Sequence, residues 1–288
     1  LKKREVAGKP IIDKIGKLKR FYLPLSKWIY ITYKKDNKIK IIGLSGGQGS
    51  GKSTITGILK FILKKEYGLD LCVFSIDDFY KTKTERKKMS EKIHPLFLTR
   101  GVPGTHDVEL INKTFQNLKK KVFKPVLIPK FDKSADDRYK KSQWTKVRKP
   151  PHVIIFEGWC VGARHQKVNN LKKSLNSLEN KFDPDLKWRK RVNNHLRGHY
   201  KKLFNRIDKL VYLKAPSFYH IFQWRLLQEQ KLKLTSKNKE IMSKSQVKEF
   251  IMYYERITKQ MMKDFSKISD LTVFLDKKHR SKKMKFFN

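Results

Sequence analysis

A short glycine-rich stretch, LSGGQGSGKST at residues 44–54, constrains the fold of this chain more than any other feature. Gly46, Gly51, Lys52 and Ser53 satisfy the pattern G-x-x-x-x-G-K-[ST]. The apolar run KIKIIGL, residues 38–44, precedes the glycines, and apolar residues at helical spacing follow them. A strand, a tight glycine loop and a helix in this order form a phosphate-binding loop.

This loop predicts that the chain binds a nucleoside triphosphate. Successive backbone N–H groups of such a loop face the phosphates, and the following helix adds about half an elementary positive charge at its N-terminus. We expect Lys52 to reach the β and γ phosphates and the Ser53 hydroxyl to ligate Mg²⁺. The residues expected to contact the nucleotide are Gly46, Gly47, Gln48, Gly49, Ser50, Gly51, Lys52, Ser53 and Thr54.

Further apolar runs recur along the chain and alternate with longer, partly helical segments. The predicted strands are residues 38–44, 71–76, 152–156, 209–215 and 271–275. Near-continuous apolar strands are typical of a parallel sheet that is covered on both faces. The sequence therefore predicts an α/β fold of the P-loop NTPase type, a three-layer sandwich with a mainly parallel five-stranded sheet.

Two segments lie outside this alternation. Residues 1–36 are predicted to form an N-terminal helical extension, in which FYLPLSKWI docks on the body through aromatic and leucine side chains. Residues 163–208 are polar and lysine-rich and carry a leucine periodicity, which favours a helical excursion within one domain. We therefore divide the chain into the extension and a P-loop domain of residues 37–288.

The charge of the chain is strongly positive, because 69 lysines and arginines against 26 acidic residues give a formal net charge of +43. A field of this sign attracts nucleic acids and small anions alike. However, the 55 lysines and 14 arginines are spread through nearly every segment, whereas readers of nucleic acid use clustered arginines and aromatics. We expect no dedicated nucleic-acid surface, and a nucleic-acid-dependent NTPase is the alternative.

Three features favour a cytoplasmic protein. The apolar stretch at residues 21–33 is interrupted by Lys27 and is too short to cross a bilayer. The N-terminus lacks the basic, apolar and small-residue order of a signal peptide. Cys72 and Cys160 show no metal-type spacing, so we expect them to be reduced, buried thiols.

Acidic residues follow two of the predicted strands. SIDDFY, residues 75–80, places Asp77 and Asp78 at the carboxyl edge of the sheet, where open α/β folds bind their ligands. Asp77 is expected to accept the proton of an attacking hydroxyl, and Asp78 either faces the acceptor or caps a helix. Glu157 ends the apolar run IIFE, as in a Walker B element, and is expected to hold the metal.

The order and approximate spacing of these and further motifs resemble the D-glycerate 3-kinase family. That family lies within the P-loop kinase group of uridine kinase, phosphoribulokinase and bacterial pantothenate kinase. The motifs are LSGGQGSGKST, SIDDFY, RGVPGTHD (100–107), PKFDKS (129–134), FEGWCVG (156–162), LKAPSFYHIFQWRLLQEQKL (213–232) and an acidic-aromatic tract near 246–256.

The resemblance implies roles for further residues. It implies that FQWRLLQEQ is a lid helix, from which Arg225 stabilises the transferring phosphoryl group, although an ordinary exposed helix arginine is the alternative. It also implies that Arg100, His106 and Asp107 hold a small hydroxy acid, although this stretch is also typical of a turn. A guanidinium suits this task because it binds a carboxylate through two parallel hydrogen bonds.

One stretch departs from the family pattern. FDKSADDRYKK runs from Ser134 to Asp137 and Arg138 without the glycines that the family carries there. We assign Arg138 to the acceptor site on this resemblance. The expected activity is the ATP- and Mg²⁺-dependent phosphorylation of D-glycerate to 3-phosphoglycerate, and the alternative acceptor is a nucleoside or a pantothenate-like alcohol.

Overall fold

The computed structural model of the chain describes residues 14–235 and 241–287. The strands are β1 (Lys40–Gly46), β2 (Leu71–Ser75), β3 (Val126–Ile128), β4 (Phe131–Asp132), β5 (Asp137–Arg138), β6 (Thr145–Val147), β7 (Val153–Gly158), β8 (Lys209–Lys214), β9 (Leu271–Leu275) and β10 (Ser281–Phe286). The α-helices are α1 (Lys14–Lys17), α2 (Leu23–Lys34), α3 (Lys52–Tyr67), α4 (Lys83–Lys92), α5 (Val108–Leu118), α6 (Asn169–Lys172), α7 (Ser177–Phe182), α8 (Lys187–His195), α9 (Lys201–Phe204), α10 (Phe218–Thr235) and α11 (Lys244–Ile268).

Within the described residues, a six-stranded sheet has the order β10-β9-β8-β1-β7-β2. All neighbouring strands from β9 to β2 pair in parallel, and β10 pairs antiparallel with β9 at the edge. The prediction of a mainly parallel α/β sheet is therefore confirmed, with β10 as an addition. Because β1 lies between β7 and β8, the loop that follows β1 opens at the centre of the carboxyl edge.

Alternate residues of the strands face opposite sides of the sheet, and each side has its own apolar core. Ile41 and Ile154 belong to the core that α5 and most of α11 cover. Ile42 and Ile155, one residue further along the same strands, belong to the core that α2, α3 and α10 cover. Burial on both faces explains why these strands are apolar over most of their length.

The N-terminal helical segment packs on the second of these cores. A single turn of π-helix, Leu18–Tyr22, joins α1 to α2. Phe21, Leu25 and Ile29 are at most 2% exposed and pack in that core. Residues 1–13 lie outside the described residues, and the division of the chain at residue 36 stays a prediction.

Short helices fill residues 163–208, the lysine-rich excursion. An ion-pair cluster that is almost fully buried connects them to α11. Arg189 pairs with Asp183 at 2.8 Å and with Glu179 at 3.5 Å, and Arg256 of α11 reaches Glu179 at 2.6 Å. Removing one partner of such a cluster leaves an uncompensated buried charge, so the excursion is firmly attached to α11.

In residues 14–235 and 241–287, no helix combines the length and the apolar character needed to cross a membrane. The thiols of Cys72 and Cys160 are both free and buried. Burial raises the pKa of the Cys72 thiol to about 12, which keeps this sulfur protonated and unreactive at neutral pH.

Candidate functional site

The glycine loop joins Gly46, the last residue of β1, to Lys52, the first residue of α3. Gly49 and Gly51 have φ values of 75° and 88°, in the left-handed region that side chains disfavour. A Cβ atom on Gly47 or Gly49 would also lie 2.6 Å from the side chain of Ile221 or Trp224 of α10, respectively. The glycines therefore serve two needs, which are the path of the loop and its close approach to α10.

The side chain of Lys52 lies folded against this loop. Its Nζ donates hydrogen bonds to the carbonyl oxygens of Gly46, at 2.8 Å, and Gly47, at 3.2 Å. Burial lowers the pKa of Lys52, and the negative charges of Glu157 and Asp77 oppose this effect. A phosphate in the loop would offer the ammonium group a charged partner in place of two neutral carbonyls, which is a stronger interaction.

Ser53 and Glu157 form the part of the site that suits a metal ion. The Ser53 hydroxyl donates to Oε1 of Glu157 at 3.2 Å, and Glu157 is 8% exposed. Burial raises the pKa of Glu157, against the opposing charge of Lys52. No cluster of three or more His, Cys, Asp or Glu side chains suited to a metal occurs in the described part of the chain. A hydroxyl and a carboxylate nevertheless fit Mg²⁺, which takes oxygen ligands and retains several waters.

Asp77 lines the same cavity as Lys52, Ser53 and Glu157 and has a partner on each carboxylate oxygen. The Tyr80 hydroxyl donates to Oδ1 at 2.8 Å, and Lys133 Nζ donates to Oδ2 at 3.1 Å. Burial alone would raise the pKa of this carboxyl, but the charges of Lys133 and His106 and the Tyr80 hydrogen bond lower it to about 2. Asp77 is therefore ionised at every physiological pH.

Its neighbour Asp78 titrates very differently. Asp78 Oδ2 accepts a hydrogen bond from the Ser75 N–H at 3.0 Å, and the two residues form a reciprocal cap on the turn Ile76–Phe79. Burial, together with the negative charges of Asp77 and Glu157, raises the pKa of Asp78 to about 6. Two adjacent carboxyls with such separated pKa values are typical of sites that handle protons.

One cavity of about 780 Å³ connects these groups. It brings together nine of the predicted site residues and an aromatic wall. The predicted residues among its lining are Gln48, Gly49, Lys52, Ser53, Asp77, Asp78, Arg100, Glu157 and Arg225. The aromatic lining consists of Tyr80, Trp159, Phe250 and Tyr254. The topology explains this convergence, because Ser75 of β2 is in register with Glu157 of β7, and β7 adjoins β1.

Arg225 enters the cavity from α10 with its side chain held on two sides. Its guanidinium pairs with Glu229 one helical turn later and lies 5.4 Å above the ring of Phe250. Glu229, which is 4% exposed, also accepts a hydrogen bond from the backbone of Met242 at 3.1 Å. Arg225 is thus a preorganised cation facing the phosphate loop, as an electrostatic role in phosphoryl transfer requires.

Arg100 also lines the cavity. Its guanidinium pairs with the carboxylate of Asp136 and lies 5.5 Å above the ring of Phe131. The Tyr254 hydroxyl donates to the Arg100 carbonyl oxygen at 3.2 Å, and the Trp159 indole N–H donates to the Gly101 carbonyl oxygen at 3.0 Å. The aromatic wall thereby fixes the backbone that carries Arg100.

Three of the predicted acceptor residues do not line this cavity. His106 is 2% exposed, stacks on Tyr80 and bonds the Tyr200 hydroxyl through Nδ1 at 2.6 Å. Asp107 caps α5. Arg138 donates to the Tyr80 carbonyl oxygen at 2.8 Å and to Asp107 at 3.4 Å. His106 and Arg138 contact Tyr80 directly, and Asp107 contacts Arg138. The roles of all three as acceptor contacts stay predictions.

The structure also adds residues that sequence reasoning passed over. Tyr80 and Lys133, the two partners of Asp77, both belong to quoted motifs, SIDDFY and PKFDKS, but had no assigned role. A tyrosine three residues after the predicted base, at the end of the same short turn, is the signal that could have identified Tyr80. The position of Lys133 depends on a hairpin that no local pattern specifies.

Comparison with known proteins agrees with this geometry. The sequence profile of the Phosphoribulokinase / Uridine kinase family matches residues 41–218. The chain is 35% identical over 231 residues to an uncharacterized kinase of Schizosaccharomyces pombe, a match that covers 77% of this chain and 80% of that protein.

Two D-glycerate 3-kinases are also similar to the chain. It is 28% identical over 260 residues to the chloroplastic enzyme of Arabidopsis thaliana, a match that covers 84% of this chain and 54% of that protein. A solved structure of the enzyme from Cryptococcus neoformans var. grubii superposes with a TM-score of 0.78 at 24% identity. That superposition covers 92% of this chain and 99% of the other, and it supports the fold. The resemblance predicted from the motifs is confirmed at the level of the family.

Proposed function

Because the chain belongs to the phosphoribulokinase/uridine kinase family, and is thus an ATP-dependent phosphotransferase with an alcohol group as acceptor, we propose that its acceptor is D-glycerate and its product 3-phosphoglycerate. One observation carries the proposal. A single cavity is lined by residues of the phosphate loop, by Asp77 and by two cations, Arg100 and Lys133. This arrangement suits a small alcohol that carries a negative charge.

The proposed reaction is an in-line transfer. The acceptor hydroxyl oxygen forms a bond to the γ-phosphorus of ATP while the bond from that phosphorus to the β,γ-bridging oxygen breaks, which leaves ADP. The proton of the hydroxyl passes to the carboxylate of Asp77. General base catalysis of this kind contributes about 10² to 10⁴ in rate.

The remaining residues position the phosphates and balance their charge. The loop amides and Lys52 bind the β and γ phosphates, and Arg225 stabilises the charge that spreads over the transferring group. Ser53 and Glu157 would hold Mg²⁺, which supplies positive charge to the phosphate oxygens when bound. In this proposal His106 and Arg138 hold Tyr80 in position, because both contact that residue.

The acceptor end of the cavity supports a carboxylate ligand. Arg100 lines the cavity together with Trp159 and Tyr254. A charged ligand group is favoured there because charge-assisted hydrogen bonds are about twice as strong as neutral ones. We include a cytoplasmic location in the proposal, supported by the buried free thiols of Cys72 and Cys160.

A coupled ADP-release assay with a panel of acceptors tests the proposal. The panel contains D-glycerate, L-glycerate, glycerol, uridine and pantothenate, each at equal concentration with ATP and Mg²⁺. We expect the largest stimulation with D-glycerate, and ³¹P NMR of the product should show phosphate on the 3-hydroxyl. Greater stimulation by uridine or pantothenate would replace D-glycerate as the acceptor. An assay without stimulation by any alcohol would contradict the proposed reaction.

A further inference from the structure

Lys133 has a position that the proposed reaction does not yet explain. It lies in the turn between β4 and β5, and its ammonium group reaches across the cavity to Oδ2 of Asp77 at 3.1 Å. Its side chain is 63% exposed, whereas that of Asp77 is 28% exposed. The proposed base therefore has one of its two carboxylate oxygens, Oδ2, occupied by an exposed cation.

The backbone of this turn is held firmly, although the Lys133 side chain is exposed. Asp132 Oδ1 accepts hydrogen bonds from the N–H groups of Ser134 at 2.9 Å and Ala135 at 3.2 Å. Asp136 takes a φ of 54°, a conformation that aspartate tolerates better than most residues, and so closes the turn without a glycine. This is the stretch in which the family pattern has glycines.

Two arginines attach the turn to the body of the protein. Arg86, which is fully buried, donates to the Asp136 carbonyl oxygen at 2.6 Å and pairs with the Asp136 carboxylate at 2.9 Å. Arg100 pairs with the same carboxylate and donates to the Lys133 carbonyl oxygen at 3.3 Å. The backbone of Lys133 is thus held in place at the cavity, and its exposed side chain is free to change its partner.

The cations of the cavity differ in whether their counterion takes part in the proposed reaction. Arg100 pairs with Asp136, a carboxylate that it shares with Arg86, and Arg225 pairs with Glu229, and neither acid has a part in the proposed reaction. The described counterion of Lys133 is Asp77 itself. An incoming carboxylate can therefore take over Lys133 without stripping a structural ion pair.

We propose that Lys133 determines acceptor specificity by exchanging its partner, from the carboxylate of Asp77 in the acceptor-free protein to the carboxylate of the bound acceptor. This inference rests on the proposed function in one respect, namely that the acceptor is an anionic alcohol. The exchange vacates Oδ2 of Asp77, which then accepts the proton of the acceptor hydroxyl. An uncharged alcohol does not displace Lys133, and the base stays covered.

The exchange requires little free energy because of the exposure of Lys133. Exposed ion pairs contribute about 0 to 1 kcal/mol, so the contact with Asp77 is easily broken. The new pair has the same charges and replaces the old one. Departure of Lys133 also makes Asp77 a stronger base, since the Lys133 charge is the largest of the influences that lower the pKa of Asp77.

Kinetics of two Lys133 variants test the inference. Lys133→Met removes the charge and keeps the apolar stem, and Lys133→Arg keeps the charge. Lys140→Met is the matched control, because Lys140 is exposed a few residues further along and its replacement changes the net charge equally. Each variant and the wild type are assayed for ADP release with D-glycerate and with glycerol, which lacks the carboxylate, and their melting temperatures are compared.

We expect Lys133→Met to raise the KM for D-glycerate about 10- to 100-fold, the range for a lost charge-assisted hydrogen bond. Its kcat/KM with glycerol should be unchanged or higher, since the base is no longer covered. Lys133→Arg should recover most of the affinity for D-glycerate, and Lys140→Met should behave as the wild type. If glycerol turnover is too slow to measure, the change in KM against kcat for D-glycerate decides the question.

The outcomes separate this inference from the proposed function. An equal loss with both acceptors, or a fall in kcat without a rise in KM, assigns Lys133 a structural role and overturns the inference. If the wild type prefers another acidic alcohol, the D-glycerate proposal fails, and the same variants test Lys133 on that acid and its uncharged analogue. If the preferred acceptor is uncharged, the inference is overturned together with the D-glycerate proposal.

Discussion

Replacing Asp78 with asparagine should stabilise the protein at neutral pH and have a much smaller effect in acid. Asp78 Oδ2 accepts the Ser75 N–H, and the side-chain oxygen of asparagine can accept the same hydrogen bond. The variant lacks the negative charge that burial and the charges of Asp77 and Glu157 disfavour. The wild type retains this charge at neutral pH and is less stable for it.

The sign and size of the effect follow from the pKa. Because the pKa of Asp78 rises from 3.8 to about 6 on folding, its protonated form contributes stability that is complete below pH 3.8 and is lost as the pH rises through about 6. One pKa unit corresponds to about 1.4 kcal/mol, so the full effect on the free energy of unfolding is roughly 3 kcal/mol. We reduce it to about 2 kcal/mol because the Asp78 side chain is partly exposed. Asp77, with a pKa of about 2, loses its contribution only in stronger acid.

Urea unfolding followed by tryptophan fluorescence measures this difference at several pH values. The advantage of Asp78→Asn over the wild type should grow between about pH 4 and pH 6 and level off above about pH 7. Asp185→Asn, at an exposed position, changes the net charge equally and should show no such growth. An advantage of Asp78→Asn that is constant across this range, or a loss of stability at pH 8, would refute the reasoning.

Three further changes probe the site. Asp77→Asn should lower kcat by about 10² to 10⁴ while the KM for ATP stays within about twofold, and steady-state kinetics that show less than a tenfold fall would contradict a role as base. Gly49→Ala should abolish the rise in melting temperature on adding ATP, because its Cβ would meet Trp224 at 2.6 Å and its φ is 75°; Gly198→Ala is the control, since an added Cβ there meets nothing within 4 Å, and it should keep the rise, whereas a normal ATP shift in the Gly49 variant would contradict the crowding. Arg225→Gln should lower kcat about 100-fold with little change in the KM for D-glycerate, and a selective rise in that KM would instead assign Arg225 to acceptor binding.

The central part of the site could be predicted from sequence because its signals are local. The glycine spacing specifies the loop, and each acid directly follows an apolar strand, as Asp77 and Glu157 do. Since parallel strands end at one edge, these groups had to meet there. The meeting of Ser53 with Glu157 across 104 residues follows from this rule alone.

Contacts that depend on long-range pairing could not be predicted. Lys133 meets Asp77 because the turn at Asp136 is held by Arg86 and Arg100, and each of these pairs joins distant positions with no shared pattern. The prediction also omitted β10, whose sequence SKKMKF is too polar to suggest a strand. Lysines on an edge strand discourage pairing with other chains, which explains how a charged segment can complete the sheet.

The tight fit of α10 against the glycine loop has a mechanical consequence. Trp224 touches Gly49, and its indole N–H donates to the Lys277 carbonyl oxygen at 3.1 Å, so the first half of α10 is clamped between the loop and the connection after β9. Arg225 is the next residue along the helix. Any bending of this helix therefore occurs beyond Trp224. A phosphate that attracts Arg225 then moves this second part of α10, while Trp224 stays fixed against the glycine loop.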